Sequence, residues 1–190
     1  MMTTAGSPPH SAIAVRAARP DDAEAIADIQ VHAWRAAFAG LIPEAALAAL
    51  DSAPRAARWR QMLGAPGPAI SLLALDETGQ PVGFCVYGVT RDRDGPDSIG
   101  EVVVLDVLPA AWRRGVGRAL CAVVEEDAVA RGWSELTLWA VQANRGLAAF
   151  CEKLGFKADG GQRLDMRMTQ FPLSEIRYRR AVTAARLRTT

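Results

Sequence analysis

The apolar run Glu101-Val-Val-Val-Leu-Asp-Val107 closes at Pro109, and two glycines one residue apart, Gly115 and Gly117, then open a stretch of helical periodicity. No other segment constrains the fold as tightly. The valine-rich run has the pattern of a buried strand. From about Arg114 to Ala130, Val116, Leu120, Val123 and Val124 give a helix its buried stripe, and Gly132 stops it. A second buried strand follows over Leu136 to Val141. Strand, helix and strand in one sheet predict a parallel, right-handed crossover. The first turn of that helix has backbone N–H groups without intrahelical acceptors, and Arg113, Arg114 and Arg118 stand around it. Such a junction suits an anion, a phosphate above all.

The remaining elements fit around this unit. Ala12 to Arg16 is a short strand, and Arg19-Pro-Asp-Asp22 starts a helix with Ile26, Ile29, Ala33 and Ala37 at helical spacing up to Gly40. Pro43 and Pro54 have the place of first-turn prolines in further helical pieces that end near Leu63. Ile70 to Leu75 and Val82 to Val89 flank Asp76-Glu-Thr-Gly79 as a hairpin. Gly146 to Lys153 is a short helix ended by Leu154-Gly155. Leu164, Met166 and Met168, then Ile176, Tyr178 and Val182, alternate with polar residues as two half-exposed strands. The order β-α-α-β-β-β-α-β-α-β-β predicts an α/β fold, a mixed sheet with helices on both faces. With 190 residues, one domain over 12–183 is expected, between loose tails at 1–11 and 184–190.

Composition excludes more than it selects. A net charge of +1 gives no argument for nucleic acid or a membrane surface, and no apolar run approaches the roughly 20 residues of a membrane span. Residues 1–11 lack the basic and apolar regions of a signal peptide. Cys85, Cys121 and Cys151 have neither C-x-x-C nor Cys/His spacing, so no metal or disulfide framework is expected and a reducing, cytoplasmic setting fits. The basic stretch Arg177 to Arg188, with five arginines, reads as strand edge and tail, with an acidic partner or a homodimer left open. His32 lies off the apolar stripe of the first helix and reads as a surface residue.

Spacing narrows the phosphate ligand. The Walker turn needs G-x-x-x-x-G-K-[ST], which is absent, and the dinucleotide turn needs a third glycine where Leu120 stands. A third reading is the [QR]-x-x-G-x-[GA] turn that seats a coenzyme A pyrophosphate. With Asn144-Arg-Gly-Leu-Ala-Ala-Phe150-Cys-Glu-Lys-Leu-Gly155-Phe156 behind it, the chain resembles the GNAT superfamily of acyl-CoA-dependent N-acetyltransferases over about Ile13 to Val182. Trp34-Arg35-Ala-Ala-Phe38-Ala-Gly40-Leu-Ile-Pro43 is similar to one bacterial subgroup of that family.

The resemblance implies acetyl-CoA as cosubstrate and a small-molecule or peptide amine as acceptor. It implies a pantetheine arm along Leu105, Asp106 and Val107, a pyrophosphate at Arg113, Arg114, Gly115, Val116, Gly117, Arg118 and Ala119, and Asn144 and Phe150 beside the arm. It implies an acceptor pocket that includes Trp34 and Arg35. Glu101 is the implied general base. Strand alternation puts it on the face of Val103, Leu105 and Val107, with Asp106 turned the other way and a weaker candidate. Asn144 also suits a helix N-cap. Two positions depart from the family pattern. Trp112 stands where a glutamine or arginine is usual, and Cys151 stands where the family's tyrosine protonates the leaving thiolate. Cys151 is a candidate acid in its place, set against the plainer role of a buried small residue. Those departures keep a second expectation open, a catalytically silent acyl-CoA-binding sensor or interaction module.

Overall fold

The computed structural model describes residues 13–65, 67–93, 95–166 and 171–182. Seven strands form one sheet: β1 (Ala14–Ala17), β2 (Ile70–Leu75), β3 (Pro81–Val89), β4 (Ile99–Val107), β5 (Glu135–Val141), β6 (Lys157–Asp165) and β7 (Leu173–Ala181). Their spatial order is β1-β2-β3-β4-β5-β7-β6. Only β4 and β5 run parallel among these pairs, and the helix α4 (Val116–Ala130) joins them as the crossover. The expected mixed α/β sheet is what the chain forms.

Helices cover both faces. α1 (Ala23–Ala37) and α3 (Ser52–Gly64) bury Ile26, Ile29 and Trp59 against Leu73, Phe84 and Val86. α4 and α5 (Arg145–Lys153) bury Leu120, Val124 and Cys151 on the opposite face, against Cys85, Val102, Leu136, Leu138 and Tyr178. A third apolar group, Trp34, Phe38, Ile42 and Leu47 with Val141 and Leu173, fastens the end of α1 and the short α2 (Glu44–Ala48) over the ends of β5 and β7. The β2–β3 hairpin is set by Asp76, whose carboxylate accepts from the amides of Thr78 and Gln80, both at 2.9 Å.

Three expectations need correction. Residues 44–64 form two helices, the pieces expected at Pro43 and Pro54, where the element order counted a single one. The break comes from Asp51, extended at φ −116° and ψ 132°, whose side chain caps the next helix through the Ala53 amide at 3.0 Å. β6 starts at Lys157, well before Leu164, because the pairing with β7 is irregular between Ala158 and Gln162 and lets Asp159-Gly-Gly161 bulge within a continuing strand. α4 starts at Val116, with Gly115 as its N-cap, two residues after the expected Arg114. Met168 and the tails at 1–11 and 184–190 lie outside the described residues.

Candidate active site

β4 and β5 pair over four rows only, from Ile99–Glu135 to Val102–Leu138. β5 is paired with β7 along its whole length and β4 with β3, and past that row β4 and β5 part, so β4 has an edge facing a gap. The amide of Leu108 donates to the carbonyl of Val82 at 2.9 Å, which makes Val107 and Gly83 a non-hydrogen-bonded pair. The N–H and C=O of Val107 therefore point away from β3 into the gap, and by alternation so do those of Leu105. An extended ligand with amides of its own could pair there as a further strand would.

That edge leads into the glycine turn. Gly115 has φ +90°, a conformation that favours glycine, and a side chain there would meet nothing within 4 Å. The first bond of the helix runs from Ala119 N–H to Gly115 C=O at 2.9 Å. The amides of Val116, Gly117 and Arg118 stand ahead of it, free for an outside acceptor at the positive end of the helix dipole. Arg113, Arg114 and Arg118 are exposed around this open space. Gly117 has a different reason to be glycine: a Cβ there would sit 3.0 Å from the Phe150 ring. The absence of that carbon is what lets α4 and α5 approach beside the gap. Ala119, in the same turn, is partly buried. Asn144 caps α5, its side-chain oxygen accepting from the Leu147 amide at 3.0 Å. Trp112, exposed at the head of the turn, donates from Nε1 to the Val107 carbonyl at 2.8 Å.

The other face of β4 overturns the expected alternation. Tyr87 is opposite Val102, but Val86 is opposite Val104, so Val103 is a bulge. Beyond it the faces exchange. Val102, Leu105 and Val107 pack in the α4–α5 layer, whereas Val103 and Val104 pack with α1 and α3. A side chain at Gly100 would strike Trp133 and Leu136 of the α4–α5 layer, which puts Glu101 on the α1 side. Glu101 therefore does not share its face with Leu105 and Val107. It shares it with Asp106, which was expected to face the other way.

The two carboxylates have different surroundings. Glu101, 1% exposed, accepts from the backbone amide of Arg91 at 2.8 Å and from its guanidinium at 2.7 Å. Asp106 accepts from the Trp34 indole at 3.2 Å, and the Arg55 guanidinium lies over the Trp34 ring at 4.5 Å. Burial pushes the Asp106 carboxyl up to about 7, against the Trp34 hydrogen bond and the Arg55 charge, which both pull it down. Sequence reasoning missed Arg55, which sits on α3 outside any motif. For Asp106 a signal existed, a lone acid inside the run Val-Val-Val-Leu-Asp-Val.

Other expected residues fall into plainer roles. Arg35 donates to the carbonyls of Leu47, Ala48 and Leu50, tying down the end of α2. Trp34 is buried in the core and reaches Asp106 as well. Cys151 has no exposed surface, and burial pushes its thiol up to about 12. His32 is exposed, as expected. Arg177, Arg179 and Arg180 are engaged with Asp92, Asp159, Glu135 and Glu125 and do not form a free basic edge. Among the described residues no group of three or more His, Cys, Asp or Glu could hold a metal, and no helix is long and apolar enough to cross a membrane.

A model of the acetyltransferase (GNAT) family matches residues 26–156. The uncharacterized N-acetyltransferase YuaI of Bacillus subtilis is 30% identical over 135 residues, 70% of this chain and 73% of its own. A GCN5-related N-acetyltransferase structure from Rhodopseudomonas palustris superposes with a TM-score of 0.68 at 28% identity, covering 93% of this chain and 99% of that one. YncA of Salmonella typhimurium, solved with its cofactor acetyl-CoA, superposes with a TM-score of 0.63 at 22% identity, covering 90% and 94%.

Proposed function

Since the chain belongs to the GNAT acetyltransferase family, we propose that it moves the acetyl group of acetyl-CoA to a primary amine, by direct attack in a ternary complex. One observation carries the reading: a β4 edge at Leu105 and Val107 that no strand covers runs into a glycine turn whose amides at Val116, Gly117 and Arg118 lack helical acceptors. The residues present fit the cosubstrate. The gap accepts a chain with amide groups, the open space at Gly115 accepts a pyrophosphate, and Arg113, Arg114 and Arg118 supply counter-charge. Acetyl-CoA-bound YncA, of the same fold, supports the choice of cosubstrate.

Acetyl-CoA supplies an activated thioester, and the chain's part is to hold it and receive the amine. An N–H of the β4 edge in the gap is suited to polarise the thioester carbonyl as negative charge grows there. The α4–α5 face belongs to the cofactor, so the amine enters from the α1 face, where Trp34, Glu101 and Asp106 lie. The two carboxylates on that face are the candidates to remove the ammonium proton. Asn144 and Phe150 flank the arm from the α5 side. Thiol release from acetyl-CoA, followed across amino acids, amino-acid esters, polyamines and aminoglycosides, tests the proposal. No release above the amine-free rate with any acceptor would sink it.

A silent acyl-CoA-binding module is the second reading, and one observation favours it. The only side chain at the usual acid position is Cys151, fully buried with its thiol pushed up to about 12. Tight binding of acetyl-CoA and CoA without thiol release on any amine would establish this reading over the first.

A further inference from the structure

We propose that Asp106, and not Glu101, takes the proton from the acceptor ammonium. The inference rests on the acetyltransferase reading above and deepens it by assigning the base. Its ground is geometric. Asp106 lies between Leu105 and Val107, whose backbone groups face the gap, so its carboxylate stands on the amine's side of the strand beside the thioester position. Glu101 lies five residues back, before the Val103 bulge, where β4 and β5 are still paired. Both of its oxygens are engaged by Arg91, and its side chain is 1% exposed. A proton gained at Glu101 would break that ion pair, whereas Asp106 accepts from one neutral donor, the Trp34 indole.

The charged surroundings suit a base that must shed its proton after each turnover. Trp34 from α1 donates to the carboxylate, and the Arg55 guanidinium from α3 lies over that indole ring. Phe84 lies opposite it on β3, with Cys85 on the other face of the sheet, and Glu101 along the Asp106 face is balanced by Arg91. Burial raises the Asp106 carboxyl to about 7, near the working range of a general base. In the reaction the ammonium N–H bond breaks and the proton passes to an Asp106 oxygen. The free amine nitrogen bonds to the thioester carbon, and the C–S bond then breaks. As the amide forms, the nitrogen's second proton is lost and the thiolate takes one proton. The proton on Asp106 returns to solvent, leaving amide, CoA thiol and one proton overall.

The experiment is the pH dependence of kcat/KM from pH 5.5 to 9, by thiol release with the fastest acceptor of the amine panel. Asp106→Asn is expected to lower kcat/KM at pH 7 by about 10²- to 10⁴-fold. It should also abolish the acid limb while leaving CoA affinity unchanged. Glu101→Gln should keep that limb. Trp34→Phe and Arg55→Gln each remove a group that favours the carboxylate, and each should move the limb to higher pH, a shift that a merely structural role would not produce. If the wild type turns over, and Asp106→Asn retains rate and limb while Glu101→Gln loses them, the assignment fails and the function stands. If the wild type releases no thiol with any amine, the function fails first and the assignment with it.

Discussion

The indole of Trp112 donates its N–H to the carbonyl of Val107 at 2.8 Å, so the residue at the head of the phosphate turn touches the last residue of the cofactor strand. That carbonyl is one of the few acceptors the β4 edge turns into the gap. A side chain 45% exposed occupies one of its lone pairs. Trp112→Phe should free it for a ligand amide and tighten CoA about two- to tenfold, the worth of one net hydrogen bond. Calorimetric titration with CoA checks this. Weaker binding would mean instead that the indole lies against the cofactor and contributes contact.

Gly115 and Gly117 should fail differently when given a methyl group. Gly115→Ala keeps open space but forces an L-residue to φ +90°, and is expected to lower stability by about 1–2 kcal/mol. Gly117→Ala gains helix propensity of up to about 1 kcal/mol, yet its Cβ must displace the Phe150 ring from 3.0 Å. Its stability should stay close to wild type while CoA affinity falls about tenfold, because the added methyl and the shifted ring crowd the α5 side of the gap. Urea denaturation and CoA titration of both variants separate the two effects. Equal losses in both would refute the distinction.

The crossover and the glycine turn were legible because each rests on a local pattern, a valine run and a Gly-x-Gly at a helix start. The Val103 bulge was not. Its residues are all valine, and nothing in Val102-Val-Val104 says that two of them oppose one pairing step on β3. That single extra residue reversed every side chain after it and moved Asp106 onto the face of Glu101. The start of β6 has no local signal for a related reason. Lys157 to Gly161 lacks the apolar alternation that marks Leu164 and Met166, yet the strand runs through it as a bulge. Asn144 was legible in its capping role, whereas the Trp34–Asp106 contact joins residues 72 apart and has no local signal.

Cys151 should prove chemically silent. It is wholly enclosed in the α4–α5 layer, and a thiol pushed up to about 12 by burial is a poor partner for a thiolate at neutral pH. Cys151→Ala is expected to keep turnover within twofold and to lose about 1 kcal/mol from the small void it leaves. Steady-state thiol release and thermal melting measure the two. A rate drop beyond tenfold with an intact fold would restore the cysteine as the acid.

Asp106 should make the fold less stable as pH rises, the reverse of an ordinary ion-paired carboxylate. In the folded chain its carboxyl keeps a proton to about pH 7, whereas an unfolded aspartate loses it near 3.9. Between those values the native state binds more protons than the unfolded state, so stability falls with increasing pH and the full penalty stands above pH 7. Asparagine cannot ionise and can still accept from Trp34. Asp106→Asn should therefore match the wild type near pH 4 and melt about 3–6 °C higher at pH 8, for roughly 1–2 kcal/mol after solvent screening. Thermal denaturation of both proteins in steps from pH 4 to 8 reads the difference. A gap that stays flat across that range, or narrows toward alkaline pH, would show that Asp106 ionises without strain and has no reservoir of basicity for the amine.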